Sequence, residues 1–253
     1  MKVAQRWEPK AYALNARFVP DLGSAVLDLL DPQAGERILD LGCGDGSLAL
    51  KLVQLGCEVM GIDSSPEFIE VAQALGLDAR LGDARDLDFE FVFNAVFSNA
   101  VLHWVKAEDT DKMMTGVWRA LRSSGRFVAE LGGEGNTQAI QQELHAALLR
   151  RGIDPLPIDP WYYPSVDDYT AKLQDNGFRV QQMHLIPRPT TLPGSMAAWL
   201  ETFGGAFTDA LKPEDRAAFI EEVQAALKPR LYDERTESWT ADYVRLRFVA
   251  IKP

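Results

Sequence analysis

Short apolar runs and amphipathic stretches take turns along the first half of this chain, a rhythm that predicts parallel strands joined by helices. Strands are expected at about 37–41, 57–62, 78–81, 92–98 and 125–131. Ser64-Ser65-Pro66-Glu67 marks a helix start, with a capping hydroxyl, a proline in the first turn and a first-turn acid. Phe68, Val71, Ala72 and Leu75 then share one helix face, which should cover the sheet.

The second half is less regular. Residues from Asn136 to about Arg151 read as a helix, followed by a proline-rich connection and the aromatic run Trp161-Tyr162-Tyr163. A capped helix is expected from Ser165 to Gly177, a strand from Phe178 to Ile186, and a further strand where Tyr243 to Ile251 alternate. Between those strands, about 188–235 carries helix patterns, including Pro213-Glu214-Asp215 leading into Phe219, Val223 and Leu227. This insertion is expected to form a helical cap. No internal repeat or low-complexity tract is visible.

The most informative stretch is Ile38-Leu39-Asp40-Leu41-Gly42-Cys43-Gly44-Asp45-Gly46-Ser47, where an apolar strand empties into alternate glycines. Glycine takes positive φ and has no Cβ, so such a turn bends sharply and lets an adenosine-like ligand press against bare backbone. A dinucleotide turn wants G-x-G-x-x-G, and Ser47 stands where its third glycine would be. Asp40 can accept hydrogen bonds from cationic or N–H groups of a ligand, or order the loop. Asp63 closes the next strand 23 residues later, where a carboxylate accepts both hydroxyls of a ribose.

Composition narrows the classes. A chain of 253 residues with 47% hydrophobic residues can bury a full core, and one domain over 1–253 is expected. No run of about 18 apolar residues is present, and Met1 to Trp7 lacks the apolar core of a signal peptide, so a cytoplasmic location is expected. Cys43 and Cys57 give no disulfide framework, and with three scattered histidines no metal is expected. The net charge of −11 argues against DNA or RNA as substrate and for a small molecule. Neither a membrane nor an obligate protein partner is expected.

With Asp40, Gly42, Gly44, Gly46 and Asp63 in place, the chain resembles the class I S-adenosylmethionine-dependent methyltransferases. Leu81-Gly82-Asp83-Ala84 is similar to the family's adenine segment, which implies adenine recognition by Asp83 and the backbone N–H of Ala84. Phe93 to Trp104 is similar to its fourth strand and the loop beside the methyl donor, with Asn94 standing where the family usually has Asp. The resemblance implies a Rossmann-like α/β sheet of seven strands, mostly parallel, closed by an antiparallel hairpin from 178–186 and 243–251. It implies an N-terminal helical segment at 1–35, a cofactor-binding core at 36–135, and closing strands with the cap insertion at 136–253.

The flanks, with Trp7, Pro9, Tyr12 and Leu102-His103-Trp104, look like trans-aconitate methyltransferase and its relatives. The implied cofactor is S-adenosylmethionine, held by Asp40, the three glycines, Asp63, Ser64, Asp83, Ala84, Asn99 and Trp7. The implied reaction is O-methylation of a carboxylate on a small acceptor. Methylation at carbon, nitrogen or a phenol, a nicotinamide-dependent oxidoreductase and a silent nucleoside-binding module are the alternatives. Methyl transfer from a sulfonium needs no nucleophilic side chain, and an ionised carboxylate needs no base. His103 is either a base or a packing residue. Tyr12 is a further catalytic candidate, on a helix that by resemblance folds over the cofactor. Trp104, Trp161 and Tyr163 wall a pocket or fill a core, and Arg188 pairs with an acidic substrate or with solvent.

Overall fold

Arg37–Leu41 forms β1, and its apolar residues Ile38, Leu39 and Leu41 are fully buried, as a strand covered on both faces requires. The computed structural model describes residues 14–15 and 23–253. After β1 come β2 (Glu58–Asp63), β3 (Asp78–Leu81), β4 (Phe93–Asn99), β5 (Leu121–Gly132), β6 (Arg179–Pro187) and β7 (Val244–Ile251). They build one seven-stranded sheet in the order β3-β2-β1-β4-β5-β7-β6. Strands β1 to β5 pair in parallel, so their carboxyl ends share one edge. Strand β7 slots in antiparallel beside β5, from Arg245 opposite Gly132 to Ile251 opposite Arg126.

Helices cover both faces. On one side α1 (Ser24–Leu30) and α2 (Ser47–Gln54) bury Val26, Leu30, Leu48 and Leu52 against Ile38, Phe97 and Val128. Next along the chain, α3 (Pro66–Ala74) begins as its sequence indicates: the Ser65 hydroxyl accepts from the Phe68 N–H at 3.3 Å, with Pro66 in the first turn. On the other side α4 (Thr110–Ala120) and α6 (Val166–Asp175) bury Met113, Val117, Tyr169 and Leu173 against Leu39, Phe127 and Phe248. The α5 helix (Gln138–Arg150) lies between them in sequence.

Two compact units make up the chain. The sheet unit comprises Phe18–Glu134, Trp161–Ile186 and Arg245–Pro253; the helical unit comprises Met1–Arg17, Gly135–Pro160 and Pro187–Val244. In the helical unit, α5, α7 (Met196–Phe203), α8 (Gly205–Asp209) and α9 (Pro213–Leu231) carry most of the structure. Phe219, Val223 and Leu227 are the buried stripe of α9. A three-stranded sheet of Thr190–Thr191, Ser238–Ala241 and Tyr232–Asp233 accompanies them, which the sequence pattern did not suggest because strands of two to four residues carry no period. Among the described residues, no helix is long and apolar enough to cross a membrane.

One strand departs from expectation in length. Arg122-Ser123-Ser124 reads as turn chemistry, yet β5 runs through it from Leu121, with a register shift opposite Phe93 and Ala95 and a left-handed Ser124 (φ 63°).

Candidate active site

The glycine turn leaves β1 at the carboxyl edge of the sheet, where ligands of open α/β folds sit. Gly42 holds φ at +79°, and a Cβ there would fall 2.3 Å from a Val101 methyl. Gly44 is also left-handed (φ +53°), but a Cβ on it would meet nothing within 4 Å. The first glycine is required by packing, whereas the second leaves open space above bare backbone. Gly46 (φ +82°) is the N-cap residue of α2.

Asp63 ties this turn to the end of β2. Its Oδ2 accepts the Gly44 N–H at 2.9 Å and its Oδ1 accepts the Ser65 N–H at 2.9 Å. Burial raises its pKa, opposed by the backbone donors of Ser65, Gly44 and Ser64. Asp40 is more extreme. Only 2% exposed, it has an Oδ2 without a hydrogen-bond partner among the described residues, and burial, followed by the charges of Asp63 and Asp45, pushes its carboxyl up to about 7. An orphaned oxygen of this kind is costly unless a ligand satisfies it.

The segment expected to meet adenine, Asp83 and Ala84, follows β3. Arg85 donates to both carboxylate oxygens of Asp83 and, at 2.9 Å, to Asp109 Oδ2, so Asp83 is held below the usual carboxylate range. Ala84 is half-buried beside it. The departure at Asn94 lies at the opposite, amino end of β4, where its Oδ1 accepts the Arg37 N–H at 2.9 Å, a bond that needs no charge. At the carboxyl end of β4, Asn99 is buried with Oδ1 unpartnered among the described residues, and Ala100 turns left-handed (φ 59°) while donating its N–H to the Glu130 carbonyl.

His103 stands on the short helical turn after β4 and is 6% exposed. Its Nδ1 accepts the Gly132 N–H at 3.2 Å. Burial, and after it the neighbouring Arg245 guanidinium, hold the imidazole well below its usual pKa. The ring is therefore neutral, with its proton on Nε2. In that tautomer the Nδ1 lone pair is taken by Gly132, and Nε2 is left as a hydrogen-bond donor. Around it the structure gathers the aromatic candidates. His103 lies 5.5 Å from Trp104 and 5.8 Å from Tyr163, Trp104 lies 6.0 Å from Trp161, and Trp161 stacks on Tyr163 at 5.9 Å. The Tyr162 N–H donates to the His103 carbonyl, fixing the loop.

The remaining candidates fall elsewhere. Trp7 and Tyr12 lie outside the described residues. Arg188 belongs to the helical unit, half-buried, with its N–H donating to the Tyr243 carbonyl. Sequence reasoning missed Arg245, which is 3% exposed near the carboxyl edge and opposite Gly132. Its signal was present: Arg245 and Arg247 occupy alternate positions of an otherwise apolar strand. Among the described residues, no cluster of His, Cys, Asp and Glu is arranged to hold a metal.

A family model described as a methyltransferase domain matches residues 39–129, from β1 into β5. Over 97% of its length the chain is also 40% identical to an uncharacterized methyltransferase of Schizosaccharomyces pombe, of which it covers 98%. The chain belongs to the methyltransferase family. It is an S-adenosylmethionine-dependent enzyme, and the nicotinamide and silent-module alternatives fall away. This methyltransferase is 36% identical to trans-aconitate 2-methyltransferase of Mycolicibacterium gilvum over 49% of its own chain and 51% of that protein. Its fold matches Haemonchus contortus phosphoethanolamine N-methyltransferase 2, solved with phosphomonomethylethanolamine and S-adenosylhomocysteine, at a TM-score of 0.60 and 18% identity, covering 97% of this chain and 57% of that one.

Proposed function

We propose that this methyltransferase esterifies a carboxylate of a small acid by direct in-line displacement. When bound, S-adenosylmethionine supplies a methyl group on a sulfonium that already leaves well, so the protein has chiefly to align the acceptor and exclude water. The observation that carries the reading is the hydrogen bond from the Gly132 N–H to His103 Nδ1. It leaves a neutral imidazole that donates from Nε2 and accepts no proton. A phenol or alcohol acceptor would call for a base here, whereas an ionised carboxylate needs only a donor to orient it. Trp104, Trp161 and Tyr163 then wall the acceptor and keep water from it.

For the cofactor, Asp63 suits the ribose, because each of its oxygens keeps acceptor capacity beyond its backbone bond. The orphaned Oδ2 of Asp40 suits a cationic or N–H group, and the open space over Gly44 suits a close approach to backbone. Ser64, Asp83, Ala84 and Asn99 complete the set, with Gly42 and Gly46 shaping the turn. Trp7 and Tyr12 join it through the resemblance alone. The name of the Mycolicibacterium relative supports an acidic acceptor, and the net charge of −11 supports a small molecule over a nucleic acid. The N-methyltransferase of the same fold shows that architecture leaves the methylated atom open. The reading also takes 1–253 as one functional domain, about 188–235 as the acceptor-selecting insertion, and the cytoplasm as its location.

The test is a transfer assay with labelled S-adenosylmethionine over short carboxylic acids and phenols, run at saturating cofactor. Transfer to acids, with a kcat that has no ascending limb above about pH 6, is expected for a reaction without a base. Transfer to phenols alone, rising with pH, would refute the reading.

A further inference from the structure

We propose that Arg85 is a positioning residue for the cofactor's base: its guanidinium, braced by Asp109, sets the Asp83 carboxylate so that one oxygen accepts from the 6-amino group of adenine, and the preference for a 6-aminopurine depends on it. The inference rests on the place of Asp83 in the cofactor set above and adds to it the residue that acts through Asp83.

Strand β3 ends at Leu81, and the chain then turns over Asp83 to Asp86, where the Asp86 N–H donates to the Asp83 carbonyl at 2.9 Å. Within that turn Arg85 grips the Asp83 carboxylate twice. Its backbone N–H donates to Oδ1 at 2.9 Å, the local bond an aspartate makes to the residue two further on. Its side chain then returns along the same carboxylate, with Nε donating to Oδ1 at 2.8 Å and Nη2 donating to Oδ2. Among the described residues, these bonds fill Oδ1 and leave one acceptor position on Oδ2. An unrestrained carboxylate turns either oxygen to a ligand or swings away; this one does neither without breaking a planar fork.

The other end of the guanidinium is held from a distance in sequence. Nη1 donates at 2.9 Å to Oδ2 of Asp109, on the short helical turn Ala107–Asp109 that leads into α4. Two carboxylates share one guanidinium, so the trio stays net negative and keeps its attraction for the positive edge of an amino group. The Arg85 and Asp83 side chains are 40% and 41% exposed, and pairs open to water in this way add little to folding. Their consequence is for what binds there, since an acceptor fixed beforehand spares the ligand the cost of ordering it.

The experiment titrates S-adenosylhomocysteine, and its analogue lacking the purine 6-amino group, into wild type, Arg85→Met, Arg85→Lys and Asp83→Ala by calorimetry, with thermal denaturation reporting the fold. Wild type should prefer the 6-amino ligand by about tenfold or more, the range for a hydrogen bond to a charged group. Arg85→Met should cut that preference by about threefold or more by weakening the 6-amino ligand alone. Arg85→Lys, which keeps the charge without the fork, should fall between, and Asp83→Ala should abolish the preference. A merely structural arginine would weaken both ligands alike; that result, or an unchanged preference, overturns the inference. Should Arg85→Met not fold, Arg85→Lys and Asp109→Asn decide, and the wild-type preference in both overturns it equally. A wild type without the preference, or a preference that survives Asp83→Ala, removes Asp83 from the adenine site and takes the inference with it. A preference lost in Asp83→Ala but kept in Arg85→Met sinks the inference alone.

Discussion

Asp40 buries a carboxyl oxygen that no group among the described residues satisfies, and its pKa of about 7 follows from that burial and from the nearby charges of Asp63 and Asp45. Because the folded pKa lies above the unfolded one, the native state binds the extra proton between about pH 4 and 7. The free protein should therefore lose stability as pH rises through that window, by about 4 kcal/mol at most. Asp40→Asn should flatten the loss, which denaturant titrations at pH 5 and 8 would measure. A cationic cofactor favours the ionised form, so affinity for S-adenosylmethionine should rise with pH up to about 7 and level off above it in wild type, while staying level throughout in Asp40→Asn. Equal pH slopes for the two proteins would remove Asp40 from the site. At His103 the expectation differs: His103→Ala should keep cofactor affinity within about twofold while kcat/KM for the acceptor falls about tenfold. Unchanged kinetics would reduce the imidazole to packing.

The strand-turn-helix from β1 to α2 is the element that decides cofactor binding, and its glycines separate by role. Gly42→Ala places a methyl against Val101 in a left-handed residue, so it should destabilise the fold by about 2 kcal/mol or more. Gly44→Ala meets nothing within 4 Å among the described residues, and should lose only about 1 kcal/mol of stability but most of its cofactor affinity, because the methyl occupies the approach to the backbone. Thermal denaturation alongside calorimetric titration distinguishes the two, and equal effects at both positions would contradict the separation. This element was legible beforehand because glycine and an acid at a strand end act through local backbone geometry, as the capping Ser65 does at the start of α3. The early arrival of β5 at Leu121 was not, since Ser123 and Ser124 read as turn formers and only the neighbouring strands draw them into the sheet. His103 shows the same limit, because its proton position is set by Gly132, which lies 29 residues further along the chain.

For the molecule as a whole, the order of the sheet matters more than any single residue: five parallel strands bring Asp40, Asp63, Asn99 and Gly132 to one edge. Alternating apolar segments were enough to anticipate that edge, whereas the antiparallel closing hairpin rested on resemblance and the place of β7 between β5 and β6 was not anticipated, because periodicity carries no strand order. That insertion is also what sets Arg245 opposite Gly132 at the carboxyl edge. Binding to the folded protein alone should raise its stability by about 2.7 kcal/mol at a hundredfold excess of S-adenosylmethionine over Kd, with no effect from NAD. Stabilisation by NAD would contradict the cofactor assignment. Carboxylate methylation itself is tested most directly by the bond that forms. Product made from methyl-labelled S-adenosylmethionine and a short acid should release its label as volatile methanol in mild alkali, as a methyl ester does; label that stays on the acceptor would place the methyl on carbon, nitrogen or a phenol and contradict an acid acceptor.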